Sequence, residues 1–382
     1  MASYNIGLIR GDGIGPEVIR EGLKVLNRVI EGSDFKIEWH EFPISAETYL
    51  KRGVLVTDEE LDNLGKMDAI YFGAMGDPRV PEKVLQSGGI LRLRFHFDQY
   101  INLRPVKLYP AVDTPLKDKG PDDINFVVVR ENSEDFYVGL GGRFKGTRSH
   151  HELNLKRRLY DATFDVDVKV DREEEFGFQL GAISGSGAER VLRYGFELAK
   201  RKGQERVTVV DKQNVLTEIY GLWRDKANLV AKDYPGIKHE FAFVDAITQW
   251  FVRRPEYYQV VVAPNTFGDI ITDLAAAVAG GMGMAPGGNI NPERKYPSMF
   301  EPIHGSAPKY ANKNVSNPIA TILAGAMMLE FLGEQKAADA IDQAVTAVLK
   351  EGRVRTYDLG GSSKTDEVGD AVTAKVEQIL GK

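Results

Sequence analysis

Val260-Val261-Val262-Ala263-Pro264-Asn265-Thr266-Phe267-Gly268-Asp269-Ile270-Ile271-Thr272-Asp273 is the stretch from which the fold of this chain is read. The β-branched run Val260–Val262 reads as a buried strand, and Leu274-Ala-Ala-Ala-Val278 beyond the quoted stretch reads as helix. Residues four apart share a helix face, so Asp269 and Asp273 both point at the end of that strand. Two carboxylates held this close repel unless a cation lies between them. Hard oxygen ligands of this kind suit Mg²⁺ or Mn²⁺. The plainer alternative is the helix dipole, which favours acidic residues in a first turn.

Working outward, strand-like and helix-like segments alternate almost throughout. Tyr4–Ile9 leads through a glycine-rich turn into a helix from about Pro16 to Ile30, and Ala69–Phe72, Phe126–Val129 and Val207–Val210 are further short apolar strands. Such alternation indicates an α/β protein with substantial parallel sheet. One segment breaks the pattern. Phe164–Asp171 alternates apolar and charged residues, Phe176–Ile183 follows, and the acidic stretch Arg172–Glu175 between them reads as the turn of a two-stranded antiparallel ribbon. A lone hairpin is marginal in water, so it packs on its own domain or on the same ribbon of a second subunit.

Composition narrows the function. The chain has 382 residues, 43% hydrophobic and 27% charged, ordinary values for a soluble protein with room for two domains. A net charge of −6 leaves no basic surplus for phosphates, which argues against general nucleic-acid binding. No apolar run approaches the length that spans a bilayer, and Met1–Ile9 reads as a first strand, not a signal peptide. The absence of cysteine excludes disulfides, thiolate chemistry and Cys-ligated zinc, and fits a cytoplasmic location. Six scattered histidines lack the spacing of a zinc hydrolase.

Several motifs carry chemistry. Gly11-Asp-Gly-Ile-Gly-Pro16 sits where a strand turns into a helix, the position of phosphate-cradling loops, yet it is GxGxG and not GxGxxG. A tight turn is the simpler reading. Arg94 and Arg104 flank a helix end and Arg130 leaves a strand. Near an aspartate pair, three arginines form a pocket for substrate carboxylates; alone, they cap surface acids. Tyr137 and Lys212 fall just beyond strand ends, where ligands bind in open α/β sheets. Phe300–Tyr310, before Asn317-Pro318 and a helix, is a turn-rich loop with many backbone donors that would suit a nucleotide.

Together these elements resemble the β-decarboxylating 2R-hydroxyacid dehydrogenases, the family of isopropylmalate, isocitrate, homoisocitrate and tartrate/D-malate dehydrogenases. The resemblance is carried by Gly11–Val18, Leu91–Pro105, Val129-Arg-Glu-Asn132, Asp211-Lys-Gln-Asn-Val215, Asn265–Leu274, Phe300–Pro308 and Thr356–Gly361, in the family's order. It implies an isopropylmalate dehydrogenase-like two-domain α/β fold with a large mixed sheet and a β-arm for dimerisation. Residues 1–104 plus 257–382 would form the cofactor-binding domain. Residues 105–256 would form the dimerisation and substrate domain, with the arm at about 150–184. It further implies that Arg94, Arg104 and Arg130 clamp the malate carboxylates. Asp269 and Asp273, with Asp245 from the partner subunit, would hold Mg²⁺ or Mn²⁺. Lys212, also from the partner, would accept the hydroxyl proton, and Tyr137 would protonate the enolate carbon after decarboxylation. His304, Gly305, Ser306, Ala307, Pro308, Lys309, Tyr310 and Asn317 would take the adenosine half of NAD or NADP. The expected assembly is a homodimer with shared active sites, with pairing into tetramers left open.

The resemblance also ranks substrates. Gly88 and Ile90 stand where isocitrate enzymes carry Ser and Asn, which disfavours isocitrate. Ile90 and Leu91 keep the apolar wall of isopropylmalate enzymes, although Ser87 replaces their usual acidic residue. Phe97–Asn102 and Asn291-Pro-Glu-Arg294 look instead like the tartrate/D-malate branch. The expected substrate is isopropylmalate-like, ahead of D-malate or tartrate and then isocitrate or homoisocitrate. Lys309-Tyr310 and Tyr357 resemble NADP-using members, while Gly361 occupies the place of their supporting Arg. A catalytically silent regulatory subunit is the alternative outside enzymology. Silent subunits should lose the base, the acid or a metal ligand, and Lys212, Tyr137 and all three aspartates are present.

Overall fold

The computed structural model describes residues 1–381. Its strands are β1 (Ala2–Gly11), β2 (Phe35–Glu41), β3 (Ala69–Ala74), β4 (Ile101–Lys107), β5 (Asn125–Glu131), β6 (Asp135–Lys156), β7 (Asp161–Ala182), β8 (Arg206–Asp211), β9 (Lys238–Phe243), β10 (Val260–Ala263), β11 (Pro286–Ile290) and β12 (Ser298–Pro302). The chain divides into two compact units. The first comprises Met1–Val127, Trp250–Tyr257 and Thr272 onward, and the second Val128–Gln249 and Tyr258–Ile271.

In the first unit the strand order is β2-β1-β3-β12-β11-β4. β1, β2, β3 and β12 run parallel, whereas β11 is antiparallel to both β12 and β4, so the sheet is mixed. β3 is buried along its whole length, as expected of an inner parallel strand covered on both faces. The Gly15–Ile30 helix carries Pro16 in its first turn, where a missing N–H costs nothing, and buries Val18, Ile19, Val25, Leu26 and Val29. Each such side chain contributes about 1.5–3 kcal/mol on full burial. The Ile319–Leu332 helix is apolar on nearly every side and almost wholly buried. Among the described residues no helix is long and apolar enough to cross a membrane.

The second unit orders its strands β5-β10-β8-β9, with β8 parallel to both β10 and β9. The Gly185–Arg201 helix packs Val191, Leu192 and Phe196 inward, and the Ser184 hydroxyl accepts from Gly187 N–H at 2.9 Å to cap its start.

β6 and β7 form a separate antiparallel ribbon, and here the structure corrects the sequence. Phe164–Asp171 and Phe176–Ile183 do not pair with each other. Both lie essentially in β7: the first pairs with 148–153 and the second with 135–144 of β6. The true turn is 157–160, and the acidic stretch continues as strand. Neither Arg172–Glu175 nor Arg157–Tyr160 contains Gly, Pro or Asn, so composition does not mark the turn. The glycines of β6 had hidden its alternation, and one of them is sterically required. A Cβ on Gly141 would stand 2.6 Å from the Phe178 carbonyl oxygen of the paired strand. Val138, Leu140 and Leu155 form a small core there, with Leu153, Phe164 and Leu180 packed against it. The turn docks on the β5–β6 connection. Tyr160 O–H donates to Glu134 at 2.8 Å, and Arg157 Nε donates to the Ser133 carbonyl at 2.5 Å.

Candidate active site

The second unit gathers Arg130 and Tyr137 around the Asp269 carboxylate. Val260–Ala263 is a buried strand, and the helix Asn265–Val278 starts directly after it, as its sequence predicts. Asp135 accepts from Thr266 N–H at 2.8 Å and from the Tyr220 hydroxyl at 3.0 Å, which anchors the helix start. Arg130 is 1% exposed. Its Nε donates to the Asn265 carbonyl at 2.9 Å, and one Nη donates to the Asn265 side chain at 2.7 Å. Its other Nη pairs with Asp269, whose second oxygen accepts from the Tyr137 hydroxyl at 2.6 Å. The Arg130 guanidinium also lies 5.1 Å from the centre of the Tyr137 ring.

Beside Arg130, Glu131 is fully buried and accepts from Ser133 N–H and hydroxyl and from Glu134 N–H. Burial, and then the neighbouring Glu134, push its carboxyl up to about 7.

The same unit pairs Lys212 with Asp245. Lys212 follows β8, whose last residue, Asp211, is buried and held by Arg224 at 2.7 Å, so the lysine leaves from a fixed point. The Lys212 ammonium holds the exposed Asp245 carboxyl below its ordinary range. Among the described residues no three acidic or imidazole side chains stand close enough to share a metal ion. The carboxylates that the sequence reading expects at a metal, Asp245, Asp269 and Asp273, offer only hard oxygen, the chemistry that suits Mg²⁺ or Mn²⁺. Asp269 and Asp273 lie four apart on one helix.

In the first unit, Arg94 sits on the Leu91–His96 helix and Arg104 inside β4. Arg94 donates to Glu301 at 3.2 Å, and its buried Nε has no hydrogen-bond partner. Arg104 donates to Asn102 at 2.7 Å and to Thr272 at 2.5 Å, and lies 3.8 Å from Asp273. Ile90 and Leu91 are both half-buried, at the junction of a π-turn and the Leu91–His96 helix.

The loop 304–310 is held by the glycine-rich turn after β1. Ile14 N–H donates to the Ser306 carbonyl at 2.8 Å, and a Cβ on Gly13 (φ +60°) would stand 1.9 Å from that oxygen. Buried Asp12 accepts from Ala46 N–H at 2.8 Å and Gly76 N–H at 3.0 Å. His304 is kept below its ordinary pKa by burial. The Tyr310 and Tyr357 rings lie 5.5 Å apart, with the Lys309 ammonium 4.7 Å from the Tyr310 ring. Hydrogen bonding within the tyrosine pair, with Lys309 adding to it, lowers Tyr310, while Tyr357 is pushed up to about 12. Asn317 donates to Asp358 at 3.0 Å and accepts from Ile319 N–H, at the start of the next helix, at 3.0 Å.

Two placements differ from expectation. Arg104 lies inside a strand and not at a helix end, and Tyr137 lies within β6, because that strand begins almost at once after β5. The sequence motifs contained Asn265, Asp12 and Glu301 without assigning them roles. Their partners lie far along the chain (Arg130 and Asn265 are 135 residues apart), so no local spacing marks them.

The sequence matches the isocitrate/isopropylmalate dehydrogenase family model over residues 5–372. It is 44% identical over 378 residues to a 3-isopropylmalate dehydrogenase of Thermobifida fusca, covering 98% of each chain. It is 41% identical to the decarboxylating D-malate dehydrogenase of Escherichia coli, over 97% of this chain and 98% of that one. The fold is similar to the crystal structure of isocitrate dehydrogenase from Methylococcus capsulatus, with TM-score 0.82 and 33% identity over 98% of this chain and 100% of that one.

Proposed function

The chain belongs to the isocitrate/isopropylmalate dehydrogenase family, and from that premise we propose that it oxidatively decarboxylates a 3-substituted (R)-malate, most nearly 3-isopropylmalate, with NAD or NADP. The observation that carries the reading is the arrangement at Asp269, where one carboxylate accepts from buried Arg130 and from the Tyr137 hydroxyl.

Arg94, Arg104 and Arg130 bind and orient the substrate carboxylates, and their burial makes each charge–carboxylate bond stronger than it would be in water. Asp245, Asp269 and Asp273 would hold a divalent cation, which when bound supplies positive charge to the substrate oxygens and to the enolate left by loss of CO₂. Lys212, held beside Asp245, takes the proton of the C2 hydroxyl as the hydride leaves C2. The nicotinamide, when bound, supplies the hydride acceptor. The Tyr137 hydroxyl, held by Asp269, supplies the proton that finishes the decarboxylation.

The half-buried Ile90–Leu91 pair supports an apolar substituent on C3. The residues that resemble the tartrate/D-malate branch bind one another instead. Tyr100 O–H donates to Glu293 at 2.6 Å, Gln99 to the Pro297 carbonyl at 2.8 Å, and Asn291 to the Asp98 carbonyl at 3.0 Å. These contacts give Gln99, Tyr100 and Asn291 a structural role. Lys309 beside the Tyr310–Tyr357 pair supports acceptance of the NADP 2′-phosphate. Val215 and Ile270, neighbours in sequence of the proposed base and a proposed metal ligand, are 66% and 59% exposed, which supports a homodimer with shared sites.

The test follows reduced dinucleotide and CO₂ together, with 3-isopropylmalate and Mn²⁺. Equal amounts of both, abolished by chelator and restored by Mn²⁺, are expected. Oxidation without CO₂ release, or turnover that ignores the chelator, would contradict the proposal.

A further inference from the structure

We propose that Asn102 and Asn289 are positioning residues that tie Arg94 and Arg104 to one shared carboxylate, Glu301. The proposal deepens the functional reading above and rests on it for the role of the two arginines.

The pattern of the sheet sets up the contact. β4 and β11 are antiparallel with Asn102 directly opposite Asn289, and β12 flanks β11 with Glu301 opposite Gly287. Side chains alternate along strands, so Asn102 and Arg104 of β4, Asn289 of β11 and Glu301 of β12 share one face. Arg104 Nε donates to Asn102 Oδ1 at 2.7 Å, Asn102 Nδ2 donates to Asn289 Oδ1 at 2.8 Å, and Asn289 Nδ2 donates to Glu301 Oε1 at 2.6 Å. From the Leu91–His96 helix, Arg94 donates to that same Glu301 oxygen at 3.2 Å. All five side chains are buried.

The direction of this relay is forced. An arginine only donates and an ionised carboxylate only accepts, so each amide must turn its oxygen toward Arg104 and its nitrogen toward Glu301. Flipping either would set donor against donor or acceptor against acceptor, at the full cost of unmade buried hydrogen bonds. Buried chains of this kind also strengthen one another. The relay fixes two arginines from different elements with a single acid. Neutral amides in the middle do not compete for the arginines as further acids would. Preorganised cations of this kind bind and orient without rearranging.

Asn289→Leu removes the middle link at similar volume. The expected result is a KM for the preferred acid raised about tenfold or more, a kcat changed far less, and an unchanged dissociation constant for the dinucleotide. Asn289→Asp keeps the acceptor for Asn102, and it can donate to Glu301 only when protonated. The charged groups around it are Glu301, Arg94 and, through Asn102, Arg104. Two facing carboxylates share a proton readily, so the KM of this variant should recover toward the wild-type value as pH is lowered from about 8 to about 6. The Asn289→Leu variant should show no such recovery. The arginine Nε resonances, recorded with no acid present, should shift in Asn289→Leu. They report on the relay even if no malate-type acid is turned over, which separates its failure from failure of the functional reading. Unmoved resonances, a KM within twofold of wild type, or equal loss of affinity for acid and dinucleotide would overturn the proposal. Absence of recovery in Asn289→Asp on acidification would do the same.

Discussion

Lys212 and Tyr137 have opposite duties in the proposed reaction, and substitutions should separate them from the fold. Lys212→Met removes the base and leaves Asp245 exposed to water. Turnover should be abolished with the melting temperature unchanged; measurable oxidation by this variant would reject the assigned base. Tyr137→Phe keeps the ring beside Arg130 and should lower kcat by about 10²–10⁴-fold. Lys309→Ala should raise the KM for NADP about tenfold and leave that for NAD unchanged, the loss of one charge-assisted contact. Glu131 supplies a pH signature. Its carboxyl is raised from an ordinary value near 4.5 to about 7, so the folded chain holds a proton that the unfolded chain has released. Stability from this group is therefore lost as pH rises from about 4.5 through about 7 and is flat above that. Melting curves of wild type and Glu131→Gln across that window should converge or cross, with the variant gaining on wild type toward high pH; parallel curves would contradict it. Candidate site residues were legible as residue types, although Arg104 and Tyr137 lie inside strands and not at the element ends expected of them. Their partners, such as Asn265 for Arg130, were not, because hydrogen bonds across more than a hundred residues leave no spacing signal.

At the scale of elements, apolar runs and the glycine-rich turn located β1, β3, β5, β8 and β10 and the helices after β1 and β10. These are inner strands and amphipathic helices, whose burial writes itself into the residue pattern. The ribbon was legible only in part. Alternation marked β7, while glycines blurred β6, and the turn at 157–160 carries no tight-turn residue. Replacing residues 142–178 with a short Gly-Ser turn should convert a dimer to monomers in gel filtration and remove activity. A dimer that survives the replacement would reject the ribbon as a subunit clasp.

For the whole molecule, family membership was legible because the motifs are local, ordered and spread from the first strand to residue 361. Fold and family follow from such patterns, while the C3 substituent depends on the few side chains that wall it. Ile90 and Leu91 are those side chains in the proposed function, and they define the central claim. The most direct test measures nicotinamide reduction with Mn²⁺ across 3-isopropylmalate, D-malate, tartrate, isocitrate and homoisocitrate, each with NAD and with NADP. The highest kcat/KM is expected with 3-isopropylmalate. A higher value with D-malate or tartrate would contradict the apolar wall as the specificity element, and no reduction with any acid would contradict the proposed enzyme.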